Sequence, residues 1–136
     1  MAGRTLPGAA LKTAVWTRLK LALYPAATVQ IGGLPDLARP CLVIGPSFWP
    51  DDSTGSTSGF DGEVQVHAWT PKDLGAGVCE ALLSSALSAL TDAELPEITV
   101  PGWSLVLLEI SDGQAFADPS GDWHGVLTLR AQLDQI

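Results

Sequence analysis

The chain reads as an α+β domain, a mostly antiparallel β-sheet backed by two α-helices. Three observations predict this. Residues 8–24 and 71–90 repeat apolar residues at three- and four-residue spacing, the period of a half-buried helix. The segments between and after them either alternate apolar with polar or run continuously apolar, as strands do. With 136 residues, the chain has the length of one ordinary domain spanning 1–136. At that size about two thirds of the unfolded surface can be buried, enough for one core without covalent staples.

In the first helix, Leu11, Val15, Leu19 and Ala22, with Ala14 and Leu23, form the apolar stripe. Arg18 and Lys20 near its C-terminal end suit the helix dipole, and Tyr24-Pro25 stops it. A short strand follows around Val29 to Ile31, then a Gly-Gly turn. "CLVIG", residues 41–45, is apolar throughout between Pro40 and Pro46, which predicts a strand covered on both faces. Residues 46–62, "PSFWPDDSTGSTSGFDG", are rich in Ser, Thr, Gly and Asp and are expected to form a long, mobile, exposed loop. Phe48, Trp49 and Phe60 flank it. They either clamp its base to the core or stand out for a partner.

"EVQVHAWT" then alternates, with Val64, Val66 and Ala68 on one face and Gln65, His67 and Trp69 on the other. Thr70 is placed to cap the second helix and Pro71 to occupy its first turn. Val78, Leu82, Ala86 and Leu90 form the stripe of that helix, widened by Leu83 and Leu87. After the connector "TDAELPEITVPG", "WSLVLLEIS" is a strand that "DGQ" turns into a second strand, "AFAD". "DPSGD" turns the chain again into a last strand beginning at Trp123. There Leu127, Leu129, Ala131 and Leu133 alternate with Val126, Thr128, Arg130 and Gln132. The expected order is one helix, three strands, one helix and three strands.

Only 16% of residues are charged while 46% are hydrophobic, a balance that favours hiding surface against partners. The net charge of −8 disfavours nucleic-acid binding, because such a field repels phosphates. The charge is unevenly distributed. Residues 1–40 carry Arg4, Lys12, Arg18, Lys20 and Arg39 against Asp36 alone, whereas residues 73–136 carry ten acids against Arg130. The two ends therefore either attract each other, within a subunit or between subunits, or are simply two biased surfaces. No apolar run reaches the ~18 residues of a membrane span, and no signal-like segment opens the chain. Cys41 and Cys79 lie in apolar surroundings. The expectation is a soluble protein made in a reducing cytoplasm, with both thiols buried.

Chemistry is sparse. Cys41, His67, Cys79 and His124 have a zinc-compatible count but none of the close spacing of zinc sites. Asp51, Asp52 and Asp61, or Asp118 and Asp122, lack the ligand pattern of a calcium loop. "GSTSG" centres on Thr57 in a loop, without the strand-to-helix turn of a nucleophile elbow. No phosphate-binding glycine motif occurs. The expectation is no catalytic residue, no metal and no cofactor.

The helix "LKTAVWTRLKLAL", the Pro-initiated strand "PCLVIG", the strand "VQVHAWT" and the helix "AGVCEALLSSALSAL" stand in a distinctive order. Over roughly residues 8–91 this layout resembles the small tail-completion, or tail-terminator, proteins of long-tailed phages and related gene-transfer particles. The resemblance implies an α+β fold and a structural, non-enzymatic protein in the virion. It implies a ring, usually of six copies, at the head-proximal end of the tail tube, ending tube growth and docking the head connector. Its partners would be copies of itself, the major tail tube protein and the head-completion or connector protein, with DNA passing through the lumen unbound and no membrane involved. Candidate interface residues are Phe48, Trp49, Asp51, Asp52, Phe60 and Trp123. The alternatives are another head–tail connector or tube-like subunit, or a small metal-binding hydrolase or ligand-binding module using His67, His124 and the aspartates.

Overall fold

The computed structural model describes residues 6–33, 40–50, 59–91 and 98–136. Helix α1 spans Gly8–Leu23 and is rich in strong helix formers. It ends at Tyr24-Pro25, where proline cannot continue the hydrogen-bond ladder. Leu11, Ala14, Val15 and Leu19 are buried as the spacing predicts, whereas Ala22 is exposed in the last turn. Strand β1, Thr28–Ile31, lies parallel to β2, Cys41–Phe48. Residues 41–45 of β2 are all buried, as expected of a strand covered on both sides.

The segment between β2 and β3 departs from expectation. β2 continues to Phe48 and β3, Gly59–Thr70, begins earlier than Glu63, so much of the expected 46–62 loop is strand. After a register shift between Ile44 and Ser47, Ser47 pairs with Val64 and Phe48 with Glu63. Gly59–Gly62 pair with residues 131–134. Backbone hydrogen bonds to a long neighbouring strand outweigh the poor strand propensity of Ser, Gly and Asp. Of the rest of the expected loop, Trp49 and Pro50 are described outside any strand, and residues 51–58 lie outside the described residues.

Thr70 does not cap the second helix. It follows the inward parity of Val64, Val66 and Ala68 and is buried at the end of β3. A 3-10 turn at Lys72–Leu74 and Gly75 then intervene before α2, Ala76–Thr91. The buried stripe of α2 is Cys79, Leu83, Ala86, Ala89 and Leu90, rotated from the expected one so that Val78 is exposed. β4 is a single strand, Trp103–Ala117, not two strands joined by a turn. The "DGQ" turn signal is absorbed by an irregularity between Ile110 and Asp112, one of two register shifts against β5, Trp123–Gln135. The turn between β4 and β5 forms where expected: Asp118 N–H donates to the Asp122 carbonyl and Gly121 N–H to the Asp118 carbonyl, each at 2.9 Å.

Five described strands thus form one sheet in the order β1-β2-β3-β5-β4, antiparallel except for β1 with β2. Both helices pack on the same face. α1 lies over β1 and β2, α2 over β3, β5 and β4, and the two helices touch. The core between the layers contains Leu11, Val15, Leu19, Leu42, Ile44, Val64, Val66, Leu83, Leu127, Leu129 and Leu133. The helix layer comes closest at Gly125 of β5, where an added Cβ would lie 2.8 Å from Leu83 Cδ1 and 3.0 Å from Cys79 Sγ.

That contact yields a paired stability test. Gly125→Ala overpacks the seam between α2 and the sheet and should destabilise the protein by about 1–3 kcal/mol in urea unfolding. Gly77→Ala in α2, where nothing lies within 4 Å of the new methyl, should stabilise it by about 0.5 kcal/mol.

Candidate functional site

No described helix covers the second face of the sheet, and its side chains are satisfied largely by one another. At the β3–β5 end of this face the His67 and His124 rings meet, with Nδ1 of His67 2.8 Å from Nε2 of His124. His67 Nε2 lies 3.1 Å from Gln65 Oε1. With that oxygen accepting from His67 Nε2–H, His67 Nδ1 accepts from His124 Nε2–H, and both rings are neutral. Trp69 stacks on His124 with ring centroids 3.9 Å apart and planes 12° off parallel, and Phe116 tilts against the same ring at 4.9 Å. Gly45 of β2 makes room for the cluster, since a Cβ there would lie 2.9 Å from His67 Cδ2 and Nε2.

Burial, and secondarily the neighbouring His124, push the His67 imidazole below its ordinary 6.5. Burial also lowers His124, against the upward pull of Asp118, whose Oδ1 is 4.0 Å from His124 Nδ1. The imidazole nitrogens are directed at each other, Gln65 and Asp118, and the His124 ring is covered by aromatic neighbours. This arrangement ties β3 to β5 across the sheet face.

Farther along the same face Arg130 forks onto Asp61, Nε to Oδ1 at 3.1 Å and Nη2 to Oδ2 at 2.8 Å. Gln132 also donates to Asp61, at 3.1 Å, and Glu109 stands 3.8 Å from Arg130. The Arg130 and Gln132 hydrogen bonds hold the Asp61 carboxyl below its ordinary value. Asp61 is therefore a strand residue in an ion pair, not part of a turn. Asp118 accepts from Ser120 N–H at 2.9 Å and shapes its own turn. Among the described residues no three of His, Cys, Asp and Glu gather as metal ligands. Cys41 and Cys79 are both buried, and neither is in a disulfide. No described helix is long and apolar enough to cross a membrane.

The aromatic residues singled out in the sequence divide by environment. Trp49 and Phe60 meet edge to face at 6.3 Å, Phe60 meets Trp103 at 5.7 Å, and both pack against the core. Trp123 is also half-buried against the core, at the strand end opposite Thr70. Phe48 differs, with 66% of its surface exposed. Asp51 and Asp52 lie outside the described residues. Sequence reasoning missed the His67–His124 pair. Strand parity puts both side chains on one face, but only the register that sets Trp69 opposite His124 brings the rings together.

A second surface lies where α2 meets edge strand β4. A groove of about 270 Å³ there is lined by Leu83, Leu87, Ile110 and Leu127, with Glu80 and Gln114 among its polar groups.

Comparison with known proteins gives a consistent picture. The family model described as "Tail completion protein gp17" matches residues 10–134. No curated protein matches the chain. Among solved structures, a chain of the "Virion of native gene transfer agent (GTA) particle" is similar in fold. Its TM-score is 0.74 at 19% identity, over 93% of this chain and 96% of that one.

The histidine pair sets a pH dependence. Both imidazoles bind protons less readily folded than unfolded, so the unfolded state takes up more protons as pH falls through 6.5. Stability from this cluster is complete above 6.5 and declines below it. The melting temperature should fall from about pH 7.5 to about pH 5, and His124→Gln should flatten that slope. Loss of the Asp61–Arg130 contribution belongs to a separate window below 3.8.

Proposed function

The chain belongs to the tail completion protein gp17 family, and on that basis we propose that it forms a ring at the head-proximal end of a tail tube, ends tube growth there and docks the head connector. The coarser statement, a structural protein of a virion tail, follows from the family itself. The observation supporting the finer one is that the family match spans residues 10–134, almost the whole of the fold described above.

The physical chemistry agrees. A ring requires one surface that meets a different surface of the next copy, so that rotation closes the assembly. This chain has two unlike sheet edges, β1 and β4, and its sheet order keeps them apart. The net charge of −8 suits a lumen through which DNA slides, since few phosphates would be neutralised. The gene-transfer particle chain of similar fold comes from a virion, which fits a part of this kind. The ring would contain six copies, with the major tail tube protein below and the connector above. Phe48, exposed beside an aromatic cluster anchored in the core, is the proposed contact to the tube or connector.

Particles assembled without this protein should carry overlong tails, visible by negative-stain electron microscopy, and added protein should restore a uniform length. Normal-length free tails beside DNA-filled, tailless heads would instead indicate a connector. Phe48→Ser should leave the melting temperature nearly unchanged and weaken binding to tubes or connectors. Trp49→Ala, which removes a half-buried anchor, should cost about 2–4 kcal/mol of stability.

A further inference from the structure

The two ends of the sheet differ in charge and in relief, and we infer that neighbouring copies join head to tail, the α1–β1 edge of one against the α2–β4 edge of the next. This rests on the ring proposal and adds which surfaces meet.

Lys12, Trp16 and Lys20 recur every fourth residue and so form one ridge along α1, and Tyr24, just past its end, continues the ridge beside Lys20. Trp16 ties that ridge to the sheet edge, its indole N–H donating to the Val29 carbonyl of β1 at 3.1 Å. Lys20 Nζ lies 4.7 Å from the Trp16 ring centroid and 5.8 Å from that of Tyr24, so the cation is held against two aromatic rings. Tyr24 is 57% exposed. α1 carries Lys12, Arg18 and Lys20 without an acid, and β1 carries no charge.

The opposite end reverses each feature. The charged residue of α2 is Glu80, and β4 carries Glu109 and Asp112 without a cation. Glu109 is shared with Arg130, so the acids to test are Glu80, which lines the groove, and Asp112, which pairs with Thr128 on the side of the same edge strand that no described helix covers. Between α2 and β4 the surface is concave, the groove floored by Leu83, Leu87 and Leu127 and walled by Ile110, which is 48% exposed. An apolar groove with Glu80 in its lining, on an edge whose strand carries only acids, accepts an aromatic ridge that carries cations. Two ridges, or two grooves, would set like charges together, which disfavours the symmetric contact of a closed dimer and favours a head-to-tail repeat.

The experiment uses two variants of the full chain, Lys12→Glu/Lys20→Glu and Glu80→Lys/Asp112→Lys. None of these four side chains is buried, so both variants should melt like the parent. Each variant then has two edges of the same sign, and each alone should lose ring assembly by at least about tenfold, read by native mass spectrometry and by capping of purified tail tubes. Mixed in equal amounts, the variants regain complementary contacts when they alternate, and rings of even copy number should return. Ring formation by both variants alone at the parental level, or failure of the mixture to recover, overturns the edge assignment. A parent chain that neither forms rings nor caps tubes overturns the ring proposal itself, which separates the two failures.

Discussion

The antiparallel register of β3 on β5, held over all twelve residues of β3, is the constraint on which the rest of the structure depends. Side chains alternate across a strand, so one register fixes both faces of the sheet. It sets Val64 opposite Leu129 and Val66 opposite Leu127 beneath the helices, and places Asp61, His67 and Trp69 with His124, Arg130 and Gln132 on the other face. A slip of one residue in β3 would drive His67 toward the core and bring Val64 and Val66 out, and one in β5 would do the same with Arg130 and the leucines. Burying an unpaired charge costs several kcal/mol, so the slipped state is excluded by energy and not only by geometry.

The face that no described helix covers gains its order from polar and aromatic groups that satisfy each other. Arg130 bridges Asp61 and Glu109 on strands to either side of its own, while His124 and Trp69 stack across the β3–β5 seam. Such contacts at half-exposed positions add little stability each. Together they fix side-chain positions across three strands without a second helix layer. The protein therefore has one greasy layer, one self-satisfied sheet face and two strand edges. A platform of this kind, with two unlike edges, suits head-to-tail assembly.

Sequence legibility follows from how local the deciding physics is. Both helices, the inward parity of Val64 to Ala68 and the burial of residues 41–45 are set by nearest-neighbour periodicity, and they appear in the structure. Errors fall where a distant strand decides. Gly59–Gly62 look like loop until β5 supplies hydrogen bonds, and Asp112-Gly113 looks like a turn until the same strand holds it as an irregular strand segment. The stripe of α2 rotates because glycine at 125 lets Cys79 and Leu83 approach the sheet, a fact encoded some forty residues away. The candidate surfaces were less legible still. Charge imbalance between the chain ends is visible in sequence, but sheet order is not, and only the order β1-β2-β3-β5-β4 puts the basic helix at one edge and the acidic strand at the other.

That arrangement also bears on how a chain with a long exposed edge stays selective about its partners. β4 is a fifteen-residue edge strand with Val106 and Ile110 exposed, the kind of surface that invites indiscriminate pairing. Its register shifts distort the pleat, and Glu109 and Asp112 make two such edges repel. The net charge of −8 opposes random association at long range, but at physiological salt such repulsion fades beyond about 8 Å. Charges brought into contact are screened much less. Partner choice then falls to the signs at the touching edges, where acid against acid is penalised and acid against the Lys12–Lys20 ridge is favoured. The same residues that protect the edge from the wrong neighbour thus recommend the right one, and no bond-making chemistry is needed to do it.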